Sequence, residues 1–152
     1  KLDPELIQTY PDQREQFNKF ITFLDKHCDR FDKIDKMFVT GYNVNFDTDF
    51  IRMWFSRNTN SFYGSYFWSS NIDVMVLAAE FLRDIRSMME NFKLATVYGA
   101  FETLGLLTPI DKTKAHAAMF DIIITIKIYQ LLRKENYVST LEKLKEVKKL
   151  ME

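Results

Sequence analysis

The chain has a single cysteine, no surplus of charge of either sign and no long apolar run, and each shortage removes a class of protein. Cys28 has no second cysteine to pair with, so an internal disulfide and a cysteine-based zinc site are both excluded, which fits a reducing compartment. Twenty-one basic residues balance 21 acidic ones. No global field therefore draws the molecule to a polyanion or a membrane surface, and any nucleic-acid contact has to be local. No stretch approaches the roughly 20 apolar residues of a spanning helix. The opening KLDPELIQTYPDQ holds no signal-peptide core, so a cytoplasmic protein with no membrane partner is expected. No internal repeat is visible.

What is present is apolar and aromatic. A 47% apolar share with 14 phenylalanines and 28% charged residues points to a globular core rather than a disordered chain. At 152 residues one domain is expected.

Residues 1 to 11 hold two of the three prolines and no periodicity, and read as an irregular lead-in. Asp12 then stands as a helix cap with Glu15 three residues on, followed by a stripe of Phe17, Phe20, Ile21, Leu24 and Cys28. After the polar segment Asp29 to Lys36, the run Met37-Phe38-Val39-Thr40 ending at Gly41 predicts a short buried strand. Phe46, Phe50, Ile51, Trp54 and Phe55 recur at helical spacing, which puts Asp47 at the head of a second helix just beyond a strand end. Tyr66 to Ile72 can form a second strand parallel to the first, with the intervening helix as crossover. Asp73 reads as the cap of a long helix carrying Val74, Leu77, Ala78, Phe81, Leu82, Ile85 and Met89. A shorter helix with Leu94, Val97, Tyr98, Phe101 and Leu104 should stop at Gly105. Ile124 to Ile128 alternates like a strand, but about 18 residues from Ala115 to Leu132 without Gly or Pro exceed usual strand length, so a helix is expected. Ser139 and Glu142 predict a separate terminal helix.

Two clusters carry candidate chemistry: Gly41-Tyr42-Asn43-Val44-Asn45-Phe46-Asp47 and His116-Ala117-Ala118-Met119-Phe120-Asp121. His116 and Asp121 would lie about 140° apart on a continuous helix, so both can serve one site only if His116 precedes the regular helix. An ionisable side chain beside the run Ile122, Ile123, Ile124, Ile126 and Ile128 has to be hydrogen-bonded, paired or metal-bound if it is buried.

These clusters resemble motifs of the DEDD 3′-to-5′ exonucleases, the DnaQ-like group that includes the proofreading subunit of the bacterial replicative polymerase. The first is similar to N-x-x-F-D and the second to the H-x-x-x-x-D of the histidine-containing branch, and the likeness runs from about Lys36 to Lys134. It implies a helix-rich α/β, ribonuclease-H-like exonuclease domain over residues 1–134, with 135–152 as a C-terminal helical extension. It further implies that Asp47 and Asp121 are carboxylates of a two-metal Mg²⁺ or Mn²⁺ site, with His116 as general base for the attacking water. Asn43 would brace the loop and Phe46 would pack near the terminal nucleotide. The implied substrate is the single-stranded or frayed 3′ end of DNA or RNA, and a polymerase subunit is the implied protein partner.

The family's first motif, D-x-E on an opening strand, has no counterpart of the right kind. Asp3-Pro4-Glu5 has the letters, but Pro4 removes a ladder donor and no apolar alternation precedes it. The expectation is a domain lacking its first strands, with about two sheet strands left, weak or absent metal binding and low activity. The alternative is a non-catalytic nucleic-acid- or protein-binding module on a degenerate exonuclease fold. A chance match in a helical protein would show no parallel strand pair. His27 reads as a surface residue, and Lys143, Lys145, Lys148 and Lys149 as a solvated face shared with Glu142 and Glu146. Phe62, Tyr63, Tyr66, Phe67 and Trp68 could stack on bases, but read as packing because no basic residue is interleaved between Phe62 and Ser70.

Overall fold

A computed structural model describes the backbone of residues 4–110 and 117–151, and side chains within residues 5, 6, 8–110 and 117–134. The elements run α1 (Pro4–Gln8), α2 (Gln13–Leu24), β1 (Thr40–Gly41), α3 (Val44–Arg57), α4 (Tyr63–Tyr66), β2 (Ile72–Asp73), α5 (Val74–Phe81), a 3₁₀ turn (Arg83–Met88), α6 (Leu94–Thr103) and α7 (Ala118–Met151). This is a helix-rich α/β arrangement in which β1 pairs with β2 in a two-stranded parallel sheet. A purely helical protein is thereby excluded. Two compact units result: Lys1–Val39 with Val44–Ile72, and Thr40–Asn43 with Asp73–Glu152.

In the first unit Asp12 caps α2 as expected, its Oδ1 accepting from the N–H groups of Arg14 at 3.0 Å and Glu15 at 2.9 Å. The lead-in is not irregular throughout. Pro4 opens α1 at the first helical position, where its fixed φ and missing N–H cost nothing. The stripe on α2 packs against α3: Phe17 meets Phe55 edge-on at 5.1 Å between ring centres, and Phe20 stacks on Trp54 at 5.4 Å. Leu24, Cys28, Tyr63, Tyr66 and Phe67 complete this core.

The strand pairing begins before β1, with Met37 donating to Tyr66 O at 2.8 Å and accepting from Trp68 N at 3.0 Å. Two residues on, Val39 O accepts from Ile72 N at 2.9 Å, so the partner strand advances four residues while this one advances two. Ser69 to Asn71 bulge out between. The strand is half-buried rather than buried: Met37 and Val39 face the core and Phe38, on the opposite face of the pleat, is 52% exposed.

In the second unit Val74, Ala78 and Leu82, Val97 and Phe101, and Ile124, Ile128 and Leu132 form one core of four-residue ridges, with Tyr98 among them. Ile124 and Ile128 are buried while Ile122 and Ile126 are 52% and 47% exposed. A strand would put all four on one face, so the isoleucine run is helical by its burial as well as its backbone. The expected long helix after Asp73 divides at Leu82. In the tighter turn that follows, residues three apart eclipse, which keeps Ile85 on the side of Leu82. Gly105, at φ 71°, ends α6 in a Schellman motif, with Gly105 N donating to Glu102 O and Leu106 N to Phe101 O. The terminal helix expected at Ser139 is not separate: α7 runs unbroken for 34 residues, because nothing in KENYVSTLE denies the backbone its helical hydrogen bonds.

Candidate functional site

The strand-end residues of the second unit are tied together by one carboxylate. Asn43 takes a left-handed φ of 60°, a conformation its short polar side chain tolerates. Its N–H donates to Asp73 Oδ1 at 3.0 Å, and the same oxygen accepts from Met75 N at 2.9 Å to cap α5. Asp73 therefore caps a helix, as its position predicts, and also fixes the exit of β1. Beside it the Tyr42 hydroxyl donates to Phe92 O at 2.7 Å. Burial pushes that phenol well above its usual range, with the Asp73 charge adding to the shift and the Arg86 charge opposing it. The Arg86 guanidinium lies 4.1 Å from the Phe92 ring centre.

In the first unit α3 starts from a small polar network. Thr48 Oγ1 donates to Asn45 O at 3.1 Å, and Asn71 Nδ2 reaches Asn45 Oδ1 at 3.2 Å and Thr48 Oγ1 at 3.3 Å. Asn71 thus joins the strand bulge to the helix start. Asp47 is exposed in the first turn of α3, where the helix dipole favours an anion. Phe46 is 62% exposed and leans on Phe50, also exposed, at 4.9 Å between ring centres. The apolar spacing on α3 therefore has two faces: Phe55, Ile51 and Trp54 pack into the core, while Phe46 and Phe50 face solvent.

In the second unit Asp121 is half-buried in the first turn of α7. Its N–H donates to Ala117 O at 3.0 Å, and its carbonyl accepts from Thr125 Oγ1 at 2.8 Å. The isoleucines beside it are not a uniformly buried wall, since Ile122 and Ile123 are exposed, so its carboxylate is not obliged to find a buried partner. His116 lies outside the described residues.

The candidate residues therefore divide. Asn43 and Asp121 belong to the second unit, Phe46 and Asp47 to the first. Among the described residues no three His, Cys, Asp or Glu side chains gather to hold a metal ion. Asp47 and Asp121 offer hard oxygen donors suited to Mg²⁺ or Mn²⁺, but by themselves fewer than a pair of such ions takes. No helix among the described residues is long and apolar enough to cross a membrane.

Sequence reasoning missed the second role of Asp73 and the coupling of Asn71 to Asn45 and Thr48. Their only signal was the abundance of short amide and carboxylate side chains around the two strand ends. No protein-family model, no curated protein and no solved structure matches the chain.

Proposed function

We propose that this chain carries part of a ribonuclease-H-like, metal-dependent 3′-to-5′ exonuclease acting on single-stranded or frayed 3′ ends of DNA or RNA, with low activity by itself. The observation behind this reading is the junction that frames the N-x-x-F-D cluster. A strand of a parallel pair runs through Asn43 into a helix whose first turn holds Asp47, and Asp121 likewise occupies the first turn of α7. Both carboxylates thus ride on rigid elements rather than loops, which suits residues that must hold a fixed geometry. The exposed ring of Phe46 is free to meet a base. In this reading Asp47 and Asp121 are metal carboxylates, His116 is the base for the attacking water, and Asn43 braces the strand exit. A polymerase subunit is the protein partner the motifs imply.

The test is degradation of a 5′-labelled oligonucleotide in Mn²⁺ by the wild-type chain and by Asp47→Ala and Asp121→Ala. Slow shortening from the 3′ end is expected, lost in both variants with their thermal unfolding unchanged. Either variant matching the wild-type rate would sink the assignment. Titration with Mn²⁺ should give weak or no binding, and tight two-site binding would overturn the expectation of low activity.

A second reading is a non-catalytic nucleic-acid- or protein-binding module. It is favoured by the lack of any three gathered metal-ligating side chains among the described residues. A wild-type chain that shortens no substrate under any divalent ion would select it.

A further inference from the structure

The first unit carries a second group of exposed side chains, from the loop that follows α2. We propose that Arg30 and Lys36, with the exposed rings around them, form a binding surface for single-stranded nucleic acid where the chain enters the parallel strands. The Arg30 guanidinium carbon lies 5.0 Å from the Phe31 ring centre and 5.2 Å from that of Phe62. Lys36 Nζ lies 5.5 Å from the Trp68 ring centre, and Phe38 stacks on Trp68 at 6.1 Å with an interplanar angle of 29°. Phe31, Phe38 and Phe62 are 78%, 52% and 45% exposed, far more than core packing requires. One loop thus delivers a cation to each end of the segment Phe62 to Trp68. The combination is that of strand-binding surfaces: ring faces for unpaired bases, with cations between them for phosphates.

The same loop holds four carboxylates against four cations, Lys26, Arg30, Lys33 and Lys36, and the carboxylates are held by neutral donors rather than by those cations. Asp29 Oδ1 accepts from Phe31 N at 2.9 Å, Asp32 Oδ1 from Ile34 N at 2.9 Å and Asp35 Oδ2 from Asp29 N at 2.8 Å. Asp25 Oδ1 accepts from the Tyr66 hydroxyl at 2.6 Å. None of the ion pairs among the described residues involves these four acids, Arg30 or Lys36. Arg30 gives one N–H to the Tyr66 hydroxyl at 3.3 Å and Lys36 one to Gly64 O at 2.6 Å, which leaves each cation further donors for phosphate oxygens. The complementary ligand is a polyanion with exposed flat bases. A duplex hides those bases, and an acidic peptide has no use for the rings.

This surface shares no residue with Phe46 and Asp47, and it needs no metal, so it stands whether or not the exonuclease reading does. The test is fluorescence anisotropy of a labelled oligothymidylate with the full chain in EDTA, with heparin and polyglutamate as bases-free polyanions. The expected result is saturable binding that weakens with salt, about tenfold weaker in Phe31→Ser and in Phe62→Ser. Lys36→Gln should lower the salt slope by about one. Phe31 is exposed enough for its variant to fold, and Met88→Ser, at an exposed position that neither reading uses, should bind as wild type. No binding, heparin or polyglutamate binding as tightly as the oligonucleotide, or unchanged affinity in both phenylalanine variants would each overturn the proposal. Loss of hydrolysis in Mn²⁺ with binding intact would count against the exonuclease reading alone.

Discussion

Asp73 Oδ1 serves two backbone donors at once, Asn43 N from the end of β1 and Met75 N in the first turn of α5. Asp73→Ala leaves both without their acceptor and should cost about 1–3 kcal/mol, measured by urea unfolding. A loss below about 0.5 kcal/mol would show that water replaces the carboxylate. Gly105 is a simpler case. No atom lies within 4 Å of where a Cβ would stand, so Gly105→Ala meets no clash and should cost only the left-handed penalty, about 1 kcal/mol. The cap at Asp12 and the stop at Gly105 were legible because each acts on its own neighbours in sequence. The Asn43 to Asp73 bond was not, because it joins residues 30 positions apart.

At the scale of an element, α7 gives the clearest contrast. Its isoleucines look alike in sequence, yet Ile128 is fully buried and Ile126 is 47% exposed. Ile128→Ala should cost about 2–5 kcal/mol and Ile126→Ala less than about 0.5 kcal/mol, both from thermal or urea unfolding. Equal losses would mean that α7 is buried on both faces. Helical periodicity explains the buried set on α2, α5 and α6 equally well. It could not say which apolar residues of α3 face inward, because Phe46 and Phe50 fit the same spacing as Ile51 and Trp54. The division at Leu82 also escaped the sequence, which has no Gly or Pro there to mark it.

For the molecule as a whole, three phenols report on the packed state at alkaline pH. Burial pushes Tyr42, Tyr63 and Tyr66 up, the hydrogen bond to Asp25 adding to the shift at Tyr66. Each proton is held more tightly folded than unfolded, so the associated stability is complete below the ordinary phenol value near about 10 and is lost as pH rises through the higher folded value. The melting temperature should therefore hold level to about pH 9–10 and then fall, while phenolate absorbance shows late titration for part of the seven tyrosines. All seven ionising together near the ordinary value in a chain still folded would contradict this. Cys28, buried and close to the Asp35 charge, has its thiol pushed up as well, and should react with iodoacetamide more slowly in the folded chain than after unfolding.

What the sequence by itself determined is local: the caps, the helical stripes, the helix in place of a strand at Ile124 to Ile128, and Asp47 at the head of a helix. These depend on hydrogen bonds and periodicities spanning a few residues, which the order of amino acids encodes directly. The tertiary structure decided which of several similar faces is buried, that Met37 pairs with Phe67, and that Arg30 and Lys36 come to rest over Phe62 and Trp68. In sequence those rings have no basic neighbour. Burial and cation–ring contact depend on distances between segments far apart in the chain, and only the folded backbone sets those distances.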